Sequence, residues 1–573
     1  MHDILIRGGT IVDGSGRPAF TGDVAIDGAR ITAVGRVDAP ARRVIDADGL
    51  LVTPGFVDIH THYDGQATWD AELAPSSWHG VTAAVMGNCG VGFAPAAPDR
   101  HDWLIGLMEG VEDIPGAALA DGIRWDWESF PEYLDALERL PHAIDIGAQL
   151  AHGALRAYVM GQRGSRNEAA TPDDIATMSR LCREALTAGA LGVSTSRTLL
   201  HLAVDGEPVP GTFAAEDELV GLARAVGEAG RGLLEVAPAG VGGEDLLAPA
   251  RELAWMERVS RTTGCPISFI MAQPNADPDS WRELLAGCRD AVAGGARLHP
   301  QVFGRPVTVL YSFQNLTPFS RFPSYAPYAA MAHEARMAAL RRPEVRARIL
   351  ADRDPNDDAW SVLLGDPWPN TYVLGDPPNY EPEAARSVAA IARARGQDPA
   401  ETAYDLLLED DGRSFLFFAV NAYAYGHLEP LREMLEFEHS VIGAADGGAH
   451  VGFICDASVP TTMLTHWVRD RTRGPRLPLE FVVHKQTRAA AELFGLDDHG
   501  LLAAGMRANL NVIDFDRLNV RAPRLVHDLP TGAGRLLQEA VGYRLTMVGG
   551  EITRWEGEFT GATPGRLLRS KPR

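Results

Sequence analysis

The segment Pro54-Gly55-Phe56-Val57-Asp58-Ile59-His60-Thr61-His62 sets two imidazoles two residues apart at the end of an apolar run. On an extended strand, residues i and i+2 face the same side. His60 and His62 therefore converge, and two neutral imidazoles at one point suit zinc or a similar divalent ion. The same spacing also fits two hydrogen-bonded histidines at a strand end. A second chemical feature is a shortage. Only Lys485 and Lys571 among the 53 basic residues are lysines. A codon preference for arginine accounts for it, yet it leaves almost no lysine for catalysis.

These residues need a scaffold. Up to residue 50, short β-like runs at 3–7, 10–12, 22–26, 30–34 and 43–46 alternate with Gly-Gly and Asp-Gly turns. From residue 51, apolar runs alternate with longer helical stretches, the pattern of βα units around a parallel sheet. Eight such runs stand at 53–62, 82–89, 144–152, 191–196, 232–236, 267–273, 297–303 and 440–446. Eight strands close a (β/α)8 barrel, with active residues at the C-terminal strand ends. The expected fold is α/β, a TIM-type barrel with a small composite β-sandwich drawn from both chain ends. The expected division is 1–52 and 500–573 for the sandwich and 53–499 for the barrel. A long, largely helical excursion over 311–438, including 325–351 and 382–395, is expected as a lid or pocket wall.

Composition narrows the partners. The chain of 573 residues carries a net charge of −23, which disfavours nucleic acid and anionic lipid, both of which need clustered cations. Apolar content of 46% supplies a core, and no run reaches a membrane-spanning length. Five cysteines without CxxC spacing argue against a disulfide framework and for a reducing compartment. With no basic, apolar leader, a cytoplasmic protein is expected. A homo-oligomer stays open.

The run from Gly49 to Asp64, after its β-rich prelude, resembles the amidohydrolase superfamily. Gly87-Asn88-Cys89-Gly90, Met108-Glu109-Gly110-Val111-Glu112-Asp113-Ile114-Pro115, His152-Gly153-Ala154-Leu155-Arg156, 189–195 and 487–514 are similar to N-acyl-D-amino acid deacylases. The resemblance spans nearly the whole chain. It implies a metal-dependent barrel acting on a small-molecule substrate. His60 and His62 match the two first-strand ligands. Asp446 matches the eighth-strand aspartate that touches metal and takes a proton from water. Cys89 matches a cysteine ligand that replaces the carboxylated lysine of other relatives. Read alone, Cys89 is equally a small buried side chain.

Two positions depart from the pattern. The fifth and sixth strand ends lack histidine and offer Glu235 and Gln273. A carboxylate can ligate zinc; a neutral amide is a poor ligand. One ion, most simply zinc, is therefore expected rather than two, with Cys89 and Glu235 as added ligands or polar wall. His152 and Arg156 match family positions near the pocket. Arg197, His201 and Arg305 follow barrel strands, and such arginines can grip a carboxylate or form ordinary salt bridges. His450 can orient the base or serve the leaving group. The expected activity is hydrolysis of an amide C–N bond, of an N-acyl amino acid. The alternatives are a cyclic amide or imide hydrolase, or a non-catalytic barrel retained for binding or assembly.

Overall fold

The structure, a computed structural model, describes residues 1–356, 363, 365–443 and 445–572. Parts of the expected excursion (357–362 and 364), Ala444 ahead of Asp446, and the terminal Arg573 lie outside the described residues.

The chain opens with β1 (His2–Ile11), β2 (Phe20–Asp27), β3 (Arg30–Gly35), β4 (Ala41–Asp46) and β5 (Leu51–Pro54). The runs read at 3–7 and 10–12 are one strand. Gly8-Gly9 forms an irregularity inside β1, not a turn, and the register against β2 shifts there. β5 pairs with Leu510–Ile513, which pairs in turn with Tyr543–Val548. Both chain ends thus build one nine-stranded sheet. Ile6, Ile11, Val24, Val52, Leu510, Val512 and Leu545 pack one core on it.

The run at 53–62 changes sheets at Gly55. β5 ends at Pro54, and β6 (Phe56–Asp58) starts a parallel array. A Cβ on Gly55 would lie 2.1 Å from Thr82 Oγ1, so a side chain here would collide with the neighbouring strand. The array continues through β7 (Val81–Met86), β8 (Asp145–Ala148), β9 (Leu150–Ala151), β10 (Val193–Ser196), β11 (Leu234–Ala237), β12 (Ile267–Met271) and β13 (Leu298–Val302). Pairing is parallel from β6 to β8 and from β9 to β13. Only Gln149 separates β8 from β9. Val441–Ile442 adds in parallel beside β13, and Thr61 bridges Gly447, so the last strand end lies beside the first. Helices such as Pro172–Ala188, Glu216–Ala229 and Ser280–Ala293 connect the strands. The strands are buried almost throughout, as parallel strands covered on both faces require. The protein is a mixed α/β fold.

The excursion is less helical than expected. The stretch read at 325–351 is three short helices, Ala326–Ala329, His333–Leu340 and Pro343–Leu350. Pro343 starts the third helix, where a missing N–H is tolerated. Thr308–Tyr311, Thr371–Val373 and Leu416–Ala419 form a small antiparallel sheet that the sequence reading did not find. Its strands are short and its partners far apart along the chain. Among the described residues no helix is long and apolar enough to cross a membrane. All five cysteines are free and buried.

A buried polar knot ties β8 to the C-terminal segment. Asp145 accepts hydrogen bonds from His499 Nε2 (2.9 Å), Arg507 Nε and Nη2 (2.8 and 2.9 Å), Asn509 Nδ2 (2.9 Å) and the Arg566 backbone N–H (2.9 Å). Burial alone would raise its pKa, but His499 and Arg507 hold it below the ordinary 3.8. Asp498, bonded to His499 and Arg566, is also lowered despite its burial. Burial opposes protonation of His499, yet the two aspartates raise it above 6.5. The aspartates add stability above 3.8 that is lost as pH falls through their lower folded values. The histidine adds stability below 6.5 that is lost as pH rises through its higher folded value. Urea unfolding should therefore show this knot strongest between about pH 4 and 6.5. Asp145→Ala should cost about 3–5 kcal/mol there, because it leaves buried cations without their partner. Wild-type stability in that variant would contradict this role.

Candidate metal centre

His60 and His62 lie just past β6, held in extended backbone between two neighbours. Thr61 N–H donates to Val85 O (3.0 Å), His62 N–H donates to Gly447 O (2.8 Å) and Asp446 N–H donates to His60 O (3.1 Å). Asn88 secures the same place, donating from Nδ2 to Thr61 O and Val85 O at 3.0 Å each. These contacts bring the first, second and last strand ends together. Cys89, Asp446 and His450 have φ of 54°, 49° and 48°. Left-handed backbone at non-glycine residues costs of order 1–3 kcal/mol each and clusters at functional sites.

The side chains converge. Cys89 Sγ lies 3.3 Å from His60 Nε2. Asp446 Oδ1 lies 3.6 Å from His60 Nε2 and 3.8 Å from His62 Nε2. Donor atoms of His60, His62 and Cys89 all fall within 4.8 Å of one another. His60 Nδ1 is 2.8 Å from Gln301 Oε1, and Gln301 Nε2 donates to Ser268 Oγ (3.0 Å). The amide orientation assigns the proton to Nδ1 and leaves Nε2 with its lone pair toward the cluster. Glu235, fully buried, accepts from Cys89 N–H at 3.0 Å and stands 3.8 Å from His60 Nδ1.

Glu112 was not singled out from the sequence, although its Glu-Gly-Val-Glu-Asp-Ile-Pro segment was. It ends α1 (His101–Glu112), where Asp113 turns the chain with φ of 50°. Its carboxylate stands between two rings, 3.3 Å from His62 Nδ1 and 3.5 Å from His450 Nε2. His450 N–H donates back to Glu112 O. His62 Nδ1, Glu112 Oε1, Glu235 Oε1 and His450 Nδ1 are sealed from solvent without a hydrogen-bond partner.

Electrostatics make this arrangement costly as it stands. Burial pushes His60 and His450 down to about 4 and lowers His62 well below the ordinary 6.5, so the imidazoles are neutral. Burial raises Glu235 to about 8 and raises Glu112 and Asp446 well above ordinary carboxylates; nearby carboxylates add to each shift. The Cys89 thiol is raised by burial, then by Glu235, Glu112 and Asp446. The ion-pair partners of Glu112, Glu235 and Asp446 are histidines only, among the described residues. A thiol beside two neutral imidazoles and uncompensated acids together fit a divalent cation.

The other expected site residues behave differently. His152 bonds Thr195 Oγ1 (2.9 Å) and Glu218 Oε1 (2.8 Å), and Arg156 Nη1 donates to both Glu218 oxygens at 2.8 Å. Arg197 Nε donates to Glu252, at 3.0 and 2.9 Å. Arg305 is buried over the Tyr380 ring and donates to Asp456 Oδ1 (3.0 Å) and Cys455 O (2.9 Å). Of the two readings open for these arginines, a grip on substrate or an ordinary salt bridge, the structure shows each paired with a carboxylate of the chain. Gln273 Nε2 donates to Pro278 O (3.0 Å). His201 is half-buried, with Nδ1 2.9 Å from Ser196 Oγ, and burial pushes it down to about 3, so its ring is neutral. Lys485 is not at the centre; its ammonium donates to Phe437 O and to Ser440 O and Oγ.

A family model described as "Amidohydrolase family" matches residues 43–554. A D-aminoacylase of Alcaligenes xylosoxydans xylosoxydans is 28% identical over 574 residues, covering 99% of this chain and 97% of the relative. An N-acyl-D-aspartate deacylase of the same organism is 28% identical over 570 residues, covering 99% and 95%. The solved N-acyl-D-glutamate deacylase of Bordetella bronchiseptica, complexed with zinc and a phosphonate mimic of the tetrahedral intermediate, shares the fold. It superposes with a TM-score of 0.64 at 24% identity, over 99% of each chain. The chain belongs to the amidohydrolase family.

Proposed function

We propose that the protein hydrolyses the amide bond of an N-acyl-D-amino acid with one divalent ion, zinc, held by His60, His62, Asp446 and Cys89. The convergence of these four groups in a buried, acid-rich pocket carries the reading. The substrate class follows the named activities of the full-length relatives. The parallel array is read as a closed (β/α)8 barrel over 53–499, and the terminal sheet as a composite β-sandwich over 1–52 and 500–573. A single ion is preferred because Gln273 is turned to Pro278 and Glu235 keeps only Oε1 uncommitted.

A bound divalent ion supplies Lewis acidity at the scissile carbonyl and makes water a stronger acid. The chain's own groups do the rest. Gln301 fixes the His60 ring by a hydrogen bond at Nδ1, and the Glu112 carboxylate stands 3.3 Å from Nδ1 of His62, so that each ring presents Nε2 to the cluster. Asp446 is the general base and then the acid, taking a proton from the attacking water and returning it to the leaving nitrogen. Exposure separates it from the other site carboxylates. Its side chain is 13% exposed, against 0% for Glu235 and 2% for Glu112. Only Asp446 among these three can meet a substrate without rearrangement. His450, 17% exposed, and the half-buried His201 are the remaining groups placed to touch it.

Metal analysis of purified protein should give about one equivalent, and N-acyl-D-amino acids should be cleaved in preference to hydantoin-like rings. Asp446→Asn should lower kcat/KM by about 100- to 10,000-fold, and His60→Ala should lose the metal. Full activity in either variant would end this mechanism. Glu112→Gln should weaken metal affinity by roughly 10- to 100-fold, as losing a carboxylate behind a ligating histidine does. Competition with a chromogenic chelator measures it, and an unchanged affinity would show that Glu112 does not support His62.

A further inference from the structure

A cavity of about 580 Å³ lies where the excursion meets the helical segment after the last parallel strand, and none of the metal-centre residues lines it. Its walls come from within 377–386, 462–473 and 519–520. Met463–Asp470 is wound as a π-helix, an element that is rare and frequent at functional sites. Thr465, His466 and Asp470 of that helix line the cavity. Apolar lining is confined to Pro377, Pro378, Tyr380 and Val520, so the space suits a polar occupant. Its volume falls within the roughly 300–1,000 Å³ of small-molecule sites.

Matching the charges on the wall leaves a cationic surplus. Arg471 donates from Nε and Nη2 to Glu381 at 3.0 Å each, and His466 Nε2 lies 3.0 Å from the same carboxylate. Despite burial, these partners hold Glu381 down to about 2. Asp470 is paired with Arg469, at 2.7 and 2.8 Å. Arg473 donates only to neutral oxygens, those of Pro382 O (2.7 Å), Tyr423 Oη (2.8 Å), Gly426 O (2.9 Å) and Glu381 O (3.2 Å). Arg386 is exposed, and among the described residues neither it nor Arg473 has a carboxylate partner. Against these two arginines stands Glu383 alone. The surplus sits in a chain whose net charge is −23. Asn379 and Asn519 add neutral donors. Their side-chain oxygens accept from the backbone N–H of Glu381 (3.0 Å) and Val520 (2.9 Å), which leaves Nδ2 of each for a ligand. We infer that this cavity is a second, non-catalytic binding site, for a small polar molecule that carries an oxyanion, phosphate or carboxylate. Arg386 and Arg473 hold the anion, since a guanidinium fork matches both groups, and the two amides donate to the same ligand. The site is independent of the amide-hydrolase reading, because it shares no residue with the metal centre.

The test is calorimetric titration of the metal-loaded enzyme at low ionic strength, with inorganic phosphate in one arm and acetate in the other. Arg386→Ser should weaken binding in at least one arm by about ten- to a hundredfold, the worth of a charge-assisted hydrogen bond. Arg386→Lys, which keeps the charge and loses the fork, should restore part of it. Arg386 is exposed, so neither change disturbs the core. Anion taken up at the metal centre persists in Arg386→Ser, and the difference between the two proteins isolates the cavity. A loss confined to phosphate names a phosphorylated ligand, and one confined to acetate names a carboxylate. Arg36, 87% exposed on the terminal sheet, is the control for net charge. If neither anion binds, if binding is indifferent to Arg386→Ser, or if Arg36→Ser weakens it equally, the inference is overturned.

Discussion

Glu235, Asp446 and the Cys89 thiol stand against His60, and Glu112 against His62; among the described residues no arginine or lysine pairs with these acids. Burial strips the histidines of protons and works against the charge on Glu112, Glu235 and Asp446. An isolated buried charge costs several kcal/mol even after relaxation. A cation with two positive charges offsets that penalty, and Nε2 of both His60 and His62 is turned toward Asp446 to meet it. The same need explains why positive φ is tolerated at Cys89, Asp446 and His450. The strand ends must aim several donors at one point, and the backbone bends to do so.

The scaffold is arranged to hold that point. Gly55 passes the chain from the terminal sheet to the parallel array so closely that a side chain would strike Thr82. Two residues beyond β6, His60 is reached by Asp446 N–H, and Thr61 and His62 are tied to their neighbours. On β8, the Asp145 knot fastens the array to the C-terminal segment. The excursion then adds an aromatic core of its own around Phe313, Phe319, Tyr325 and Tyr404.

Local pattern and long-range pairing differ in how visible they are. The His60/His62 pair was legible because a strand puts i and i+2 on one face. Asp446 and Cys89 were legible only through the resemblance of their surrounding motifs. Glu112 was hidden because its role depends on where a helix end falls against two loops. The arginines show the opposite effect. Their positions after strands suggested substrate grips, but Arg156 meets Glu218 62 residues away, Arg197 meets Glu252 55 away and Arg305 meets Asp456 151 away. Nothing in sequence spacing reveals such partners. The parallel strands were legible as apolar runs, since both faces are buried. The excursion's three-stranded sheet was not, because its strands are too short to show alternation.

The central claim is that one ion is held by two imidazoles, a carboxylate and the Cys89 thiolate. X-ray absorption at the metal edge of protein loaded with one equivalent of zinc tests it most directly. The account predicts a single sulfur scatterer among nitrogen and oxygen ligands, lost in Cys89→Ser. A coordination shell of nitrogen and oxygen alone in the unmodified protein would contradict it.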